Sequence, residues 1–328
     1  MKPGRFVFVL LIAGFVLRSG SLAAADFSEG RMRLSIHENT GRFSLYYLSD
    51  VSEQHYEPLF TAQDPRTSFI AININDRIYR LGESSAFRII ADEHQPLLVF
   101  ESPFLTVQES FSFIKTAGST ETNGVKITIR IENTAALQAS IGMRFLLDTS
   151  LGEGAVRIPF VTEKQNIVSE TIIDRASFEK NWVSRNDQVS LMGSFSGAGD
   201  REPDFLHFAN WKRLNDVPWE AGYSRGRSFS FPPYSIGDSA VCYYYEPAPL
   251  PSGKFFTCSV FLATEDPAGF DLGRAISTTG LDADLALMRE LLERLDRYLS
   301  GQIQISEEEL AAIEQSITRI KARRGFRP

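Results

Sequence analysis

The sequence predicts a mainly β protein, a large antiparallel two-sheet sandwich or supersandwich carrying a C-terminal α-helical hairpin. Three observations lead there. Over residues 26–270 short apolar runs alternate with turn signals. The same interval has no succession of strands and long helices, which disfavours a doubly wound α/β fold. After residue 270, Leu281, Leu285, Met288, Leu292, Leu295 and Leu299 recur at helical a/d spacing.

The elements follow in order. Lys2 and Arg5 precede an apolar run from Phe6 to Leu17, and Ala23 and Ala25 are the small residues of a cleavage site. This pattern reads as a secretory signal peptide over residues 1–25, cut before Asp26. As a helix the run spans about 18 Å, short of the roughly 30 Å of a bilayer core. A periplasmic or secreted product is therefore expected, with no transmembrane segment once the leader is removed.

A β-sandwich domain is expected over 26–270. Candidate strands are 31–37 and 42–48 around a Glu38 to Gly41 turn, 67–73 and 77–81 around Asn75 and Asp76, then 87–91, 96–101, 105–114, 125–133 and 139–147. Val125, Ile127, Ile129 and Ile131 alternate with Lys126, Thr128 and Arg130, the pattern of a half-buried strand. Residues 150–238 are less regular. Runs 239–245 and 254–263 flank a Pro- and Gly-rich connection and read as a hairpin. That register sets Cys242 across from Cys258, either as a disulfide of an exported protein or as two buried thiols. In the tail, 271–328, Gly301 ends the first helix and Ser306 and Glu309 form a capping box for a second. Such a hairpin either packs on the body or binds an envelope partner or a second copy.

Composition narrows the function. The 328 residues are 43% hydrophobic and include 25 Phe and 10 Tyr, enough for a sizeable core. A net charge of -7 gives no basic footprint for nucleic acid. Four His and two Cys exclude a zinc-finger array. His37, His55, His94 and His207 show no metal-ligand spacing, no EF-hand loop occurs, and no nucleotide loop or serine-hydrolase elbow is present, so neither a metal nor a cofactor is expected.

Acid and base work needs paired groups, and the carboxylates worth weighing are Asp148, Glu153, Asp216 and Glu220. Asp148 closes a strand and Glu153 lies in the turn after it, which places both at one sheet edge. Capping of the turn is the structural alternative. Trp211 and Trp219, with Asn210 nearby, suit stacking and hydrogen bonding to a sugar. They equally suit plugging the end of a sandwich.

The stretch Ile141 to Glu153, with its Leu-Asp-Thr-Ser-Leu-Gly segment at Leu147 to Gly152, resembles a largely uncharacterised domain family of exported bacterial and archaeal proteins. Phe208 to Trp211, Asp238 to Val241, Pro247, Ser252 and Gly253 carry the same resemblance. It implies a large extracytoplasmic, non-catalytic β-sandwich, distantly similar to the sugar-handling supersandwiches of the mutarotase-like class. It brings no catalytic residue to carry over. The expectation is thus an exported binding or scaffold protein of the envelope, the alternative being a carbohydrate-binding or carbohydrate-processing protein.

Overall fold

The computed structural model describes residues 24–270 apart from 62–63, 93, 154–156, 198–200 and 234. The hairpin expected over 271–328 lies outside the described residues, as does the leader up to residue 23. In chain order the strands are β1 (Ala24–Glu29), β2 (Met32–His37), β3 (Arg42–Asp50), β4 (His55–Pro58), β5 (Phe69–Ile74) and β6 (Arg77–Arg80). Then come β7 (Arg88–Ala91), β8 (Leu97–Glu101), β9 (Leu105–Ile114), β10 (Gly124–Asn133), β11 (Ala139–Asp148), β12 (Phe160–Thr162) and β13 (Asn166–Ile167). The series closes with β14 (Thr171–Asp174), β15 (Asn181–Arg185), β16 (Ser190–Ser194), β17 (Phe205–Ala209), β18 (Ala240–Leu250) and β19 (Phe255–Ala263). A short helix, α1 (Trp211–Asn215), follows β17. No helix among the described residues is long and apolar enough to cross a membrane.

The strands form three antiparallel sheets where two were expected. A nine-stranded sheet runs β13-β12-β15-β16-β19-β10-β9-β8-β7, a six-stranded sheet runs β14-β17-β18-β11-β5-β6, and β1 to β4 form a separate four-stranded meander. Met32, Leu34, Ile36 and Leu45 of the meander share one core with Ile127 and Ile129 of the nine-stranded sheet and Ile72 and Phe145 of the six-stranded one. Local alternation sets which face of a strand is buried, but not which distant strand it joins, so the third sheet is invisible to a local reading. Ala24 and Ala25, the last residues of the expected leader, pair with His37 and Ile36 in β1.

The expected hairpin of Cys242 and Cys258 is corrected. β18 pairs with β11 and β17, whereas β19 pairs with β10 and β16, so the connection between them crosses from one sheet to the other. Cys258 faces the shared core, and Cys242 lies on the opposite face of the six-stranded sheet. The two thiols do not form a disulfide. β18 also continues through Pro247 and Pro249 to Leu250. Its pairing with β17 ends at Tyr244 and its register with β11 shifts between Met143 and Ile141, so the ladder is already interrupted where the proline N–H groups are missing. Gly142 opposite this stretch is required, because a Cβ there would sit 2.8 Å from the Pro247 nitrogen.

Both faces of the six-stranded sheet are covered. Met143, Phe145, Leu147, Val241 and Tyr243 face the shared core, while Leu146, Cys242 and Tyr244 lie beneath Leu214, Ala221, Trp211, Val217 and Trp219. Arg144 stands among this outer set, fully buried. Its Nη1 donates to the carbonyls of Leu214 (3.1 Å) and Trp219 (2.6 Å), and its Nη2 to that of Val217 (2.8 Å). The guanidinium thus satisfies carbonyls at and beyond the C-terminal end of α1 and fixes the covering segment to the sheet.

Candidate functional site

One end of the six-stranded sheet gathers polar side chains. β11 finishes there at Asp148, β18 starts there at Ala240, and β17 ends there at Ala209, which pairs with Ala240. Asp148, Glu153 from the turn after β11, and Asp238 just before β18 each direct a carboxylate oxygen to the same place, all within 4.8 Å of one another. Asp148 is the deep member at 4% exposure, and its Oδ1 is buried without a hydrogen-bond partner. Glu153 and Asp238 are half-buried. Glu153 Oε1 accepts from the Ser239 N–H at 3.3 Å.

Crowding three acids in a partly dry site disfavours their charge. Burial, with the Asp238 charge adding to it, pushes the Asp148 carboxyl up to about 6. Burial, then Asp238 and Asp148, pushes Glu153 up to about 7. Asp238 is also raised, by burial, with Ser235 opposing. No Lys, Arg or His among the described residues forms an ion pair with the three. The donor set is all oxygen, which suits a hard cation or the hydroxyl groups of a polyol.

Asn210 and Trp211 adjoin this cluster. Asn210 is buried, its Nδ2 donating to the carbonyls of Phe229 (2.7 Å) and Asp238 (3.3 Å) and to Ser235 Oγ (2.8 Å). Its Oδ1 accepts from the Arg213 N–H, capping α1. It therefore positions Asp238 and the helix, with all its polar capacity used within the fold. Trp211, half-buried, donates from Nε1 to the Thr67 carbonyl at 2.9 Å. Trp219 belongs elsewhere: it meets Tyr244 edge to face at 6.1 Å, and its carbonyl accepts from Arg144 and Tyr244. Of the other carboxylates, Asp216 pairs with Lys212 at 2.7 Å, and Glu220 is exposed.

The sequence reading placed Asp148 and Glu153 at one edge, and the structure brings them together. It missed Asp238, which is 85 or more positions away in the chain and joins them only because β18 pairs with β11. The available signal was the segment Asp238 to Val241 that already stood beside the Leu147 to Gly152 segment in the resemblance. His207 is a core histidine, its Nε2 lying 3.1 Å from Glu170 in a buried pair.

No family model matches the chain, and no curated protein matches it. Solved structures similar to it include a galactose mutarotase related enzyme from Lactobacillus acidophilus, at 9% identity and a TM-score of 0.45, covering 76% of this chain and 99% of that one. A GalM/aldose epimerase homologue from C. elegans is similar at 7% identity and a TM-score of 0.43, covering 74% and 98%. A galactose mutarotase-like protein from Lactobacillus casei is similar at 9% identity and a TM-score of 0.41, covering 74% and 100%. The functional reading therefore stands on the residues of the site itself.

Proposed function

We propose that this protein binds carbohydrate, outside the cytoplasm, at the end of the six-stranded sheet where Asp148, Glu153 and Asp238 adjoin Trp211. One observation carries the reading: the consecutive residues Asn210 and Trp211 set a half-buried indole beside the carboxylates, Asn210 donating to the Asp238 carbonyl at 3.3 Å. Sugars present both an apolar C–H face, which stacks on an indole, and hydroxyls, which donate to carboxylates. Glu153 and Asp238 at the mouth would accept from hydroxyls, with Asp148 behind them. Trp219 is left out of this role, since it packs on Tyr244 and its hydrogen bonds run to Arg144 and Tyr244, not to the carboxylates.

The test is a glycan screen on the purified protein followed by titration calorimetry on any hit. Binding weakened at least tenfold by both Trp211→Ala and Glu153→Gln, with circular dichroism unchanged, supports the reading. Absence of any hit, or binding that ignores both substitutions, overturns it. A second reading, assembly with an envelope partner or a second copy through residues 271–328, draws on the leucine spacing of that segment. Truncation after Phe270 that leaves the solution mass per chain unchanged and captures no less envelope partner would refute it.

A further inference from the structure

We infer that Asp148, Glu153 and Asp238 form a binding site for a divalent cation of the calcium type. The inference goes beyond carbohydrate binding, because the cation can be titrated without any sugar. Two independent observations support it. The first is spacing: one carboxylate oxygen from each residue lies within 4.8 Å of the other two. Two oxygens on one Ca²⁺ shell, at 2.3–2.6 Å from the ion, stand at most about 4.6–5.2 Å apart, and each pair of the three falls within that limit. The second is an orphan. Asp148 is 4% exposed and its Oδ1 has no hydrogen-bond partner, although a buried carboxylate oxygen in a folded protein is ordinarily bonded.

A cation resolves both features at once. It supplies the missing partner of Asp148 Oδ1 and neutralises carboxylates that no basic side chain among the described residues pairs with. The ligands are hard oxygens without thiolate or imidazole, which selects an alkaline-earth ion over zinc or copper. Calcium accepts irregular oxygen shells more readily than magnesium, which demands a near-ideal octahedron. Because Glu153 and Asp238 are only half-buried, the rest of the shell opens to water or to the hydroxyls of a ligand. The ion would join the turn after β11 to the start of β18, where Asn210 already holds the Asp238 carbonyl.

The experiment is thermal unfolding and calorimetric titration of the purified, EDTA-treated protein with CaCl₂ or MgCl₂, no glycan present. At a hundredfold excess of calcium over its dissociation constant, the midpoint is expected to rise by about 5–10 °C. The shift should vanish in Asp148→Asn and in Asp238→Asn, both retaining the wild-type circular-dichroism spectrum. If one of these fails to fold, the other, or Glu153→Gln, makes the same comparison. A folded wild-type protein with no calcium heat and no calcium-dependent midpoint overturns the site. A calcium shift that survives in the folded variants also overturns it, and magnesium acting as strongly as calcium overturns the calcium assignment. A negative result here leaves the glycan screen to stand or fall by itself.

Discussion

Trp182 on β15 donates from Nε1 to Tyr243 Oη on β18 at 2.7 Å, and Tyr243 Oη donates onward to the Ser194 carbonyl on β16 at 2.7 Å. Both side chains are fully buried, so this is a polar bridge between the six-stranded and nine-stranded sheets inside an apolar core. Burial holds the Tyr243 hydroxyl protonated well above its usual range, as the bridge requires. Tyr243→Phe leaves one buried donor and one buried acceptor unpaired. The expected loss is about 2–4 kcal/mol of unfolding free energy, read from urea denaturation.

Glu109 predicts the pH dependence of stability. It projects from β9 into the core, 3% exposed, and its Oε1 has no hydrogen-bond partner. Burial, only partly offset by the Arg42 charge, pushes its carboxyl up to about 8 from an ordinary 4.5. The folded state therefore keeps a proton that the unfolded state releases. The Glu109 contribution is favourable below about pH 4.5, falls as pH rises towards 8, and is level above that. Glu109→Gln should flatten this part of the profile and gain about 2 kcal/mol at pH 8. An unchanged slope between pH 5 and 8 would contradict it.

Glu170 anchors the segment that covers the six-stranded sheet. It accepts from Arg213 Nε (2.7 Å) and Nη2 (3.2 Å), from the Ser224 N–H (2.9 Å) and from His207 Nε2 (3.1 Å). Burial lowers the His207 pKa, so the ring is neutral at pH 7 and Nε2–H is the donor. Glu170→Ala strands these donors, at a cost of about 3–5 kcal/mol. Limited trypsin digestion should then cut at Arg225 and Arg227 faster than in the wild type.

The cysteines give a chemical check on the sheet assignment. Both are buried with no disulfide between them, and burial pushes the Cys242 thiol up to about 11. A thiol reagent is expected to label neither in the native protein at pH 8 and both in guanidinium, with the unfolding midpoint indifferent to reductant. A single intramolecular disulfide by mass spectrometry would overturn the crossing of β18 and β19 between sheets.

Much of the β architecture is readable from local pattern. The alternation at Val125 to Ile131 and the turns at Gly41 and Asn75 fix strands that the structure contains, because side-chain period and turn chemistry are local properties. What escaped depends on distant partners. Cys242 and Cys258 looked opposed because the Pro-rich connection resembles a hairpin loop, yet it spans two layers. β12 to β17 are short, at two to five residues each, and their burial comes from neighbours rather than from periodicity. At the site, Asp148 and Glu153 share a turn and were visible together. Asp238 required knowledge of the β11 and β18 register, which no local signal encodes.

The order in which the chain visits its layers has a further consequence. It passes from the six-stranded sheet to the nine-stranded one and back at β6 to β7, β10 to β11, β11 to β12, β13 to β14, β14 to β15, β16 to β17 and β18 to β19. The layers are stitched together, not stacked. A nick between β11 and β12 leaves each fragment with part of both sheets, severed where β11 meets β18 and where β10 meets β19. Neither half is then a module that can be grafted, swapped or expressed alone.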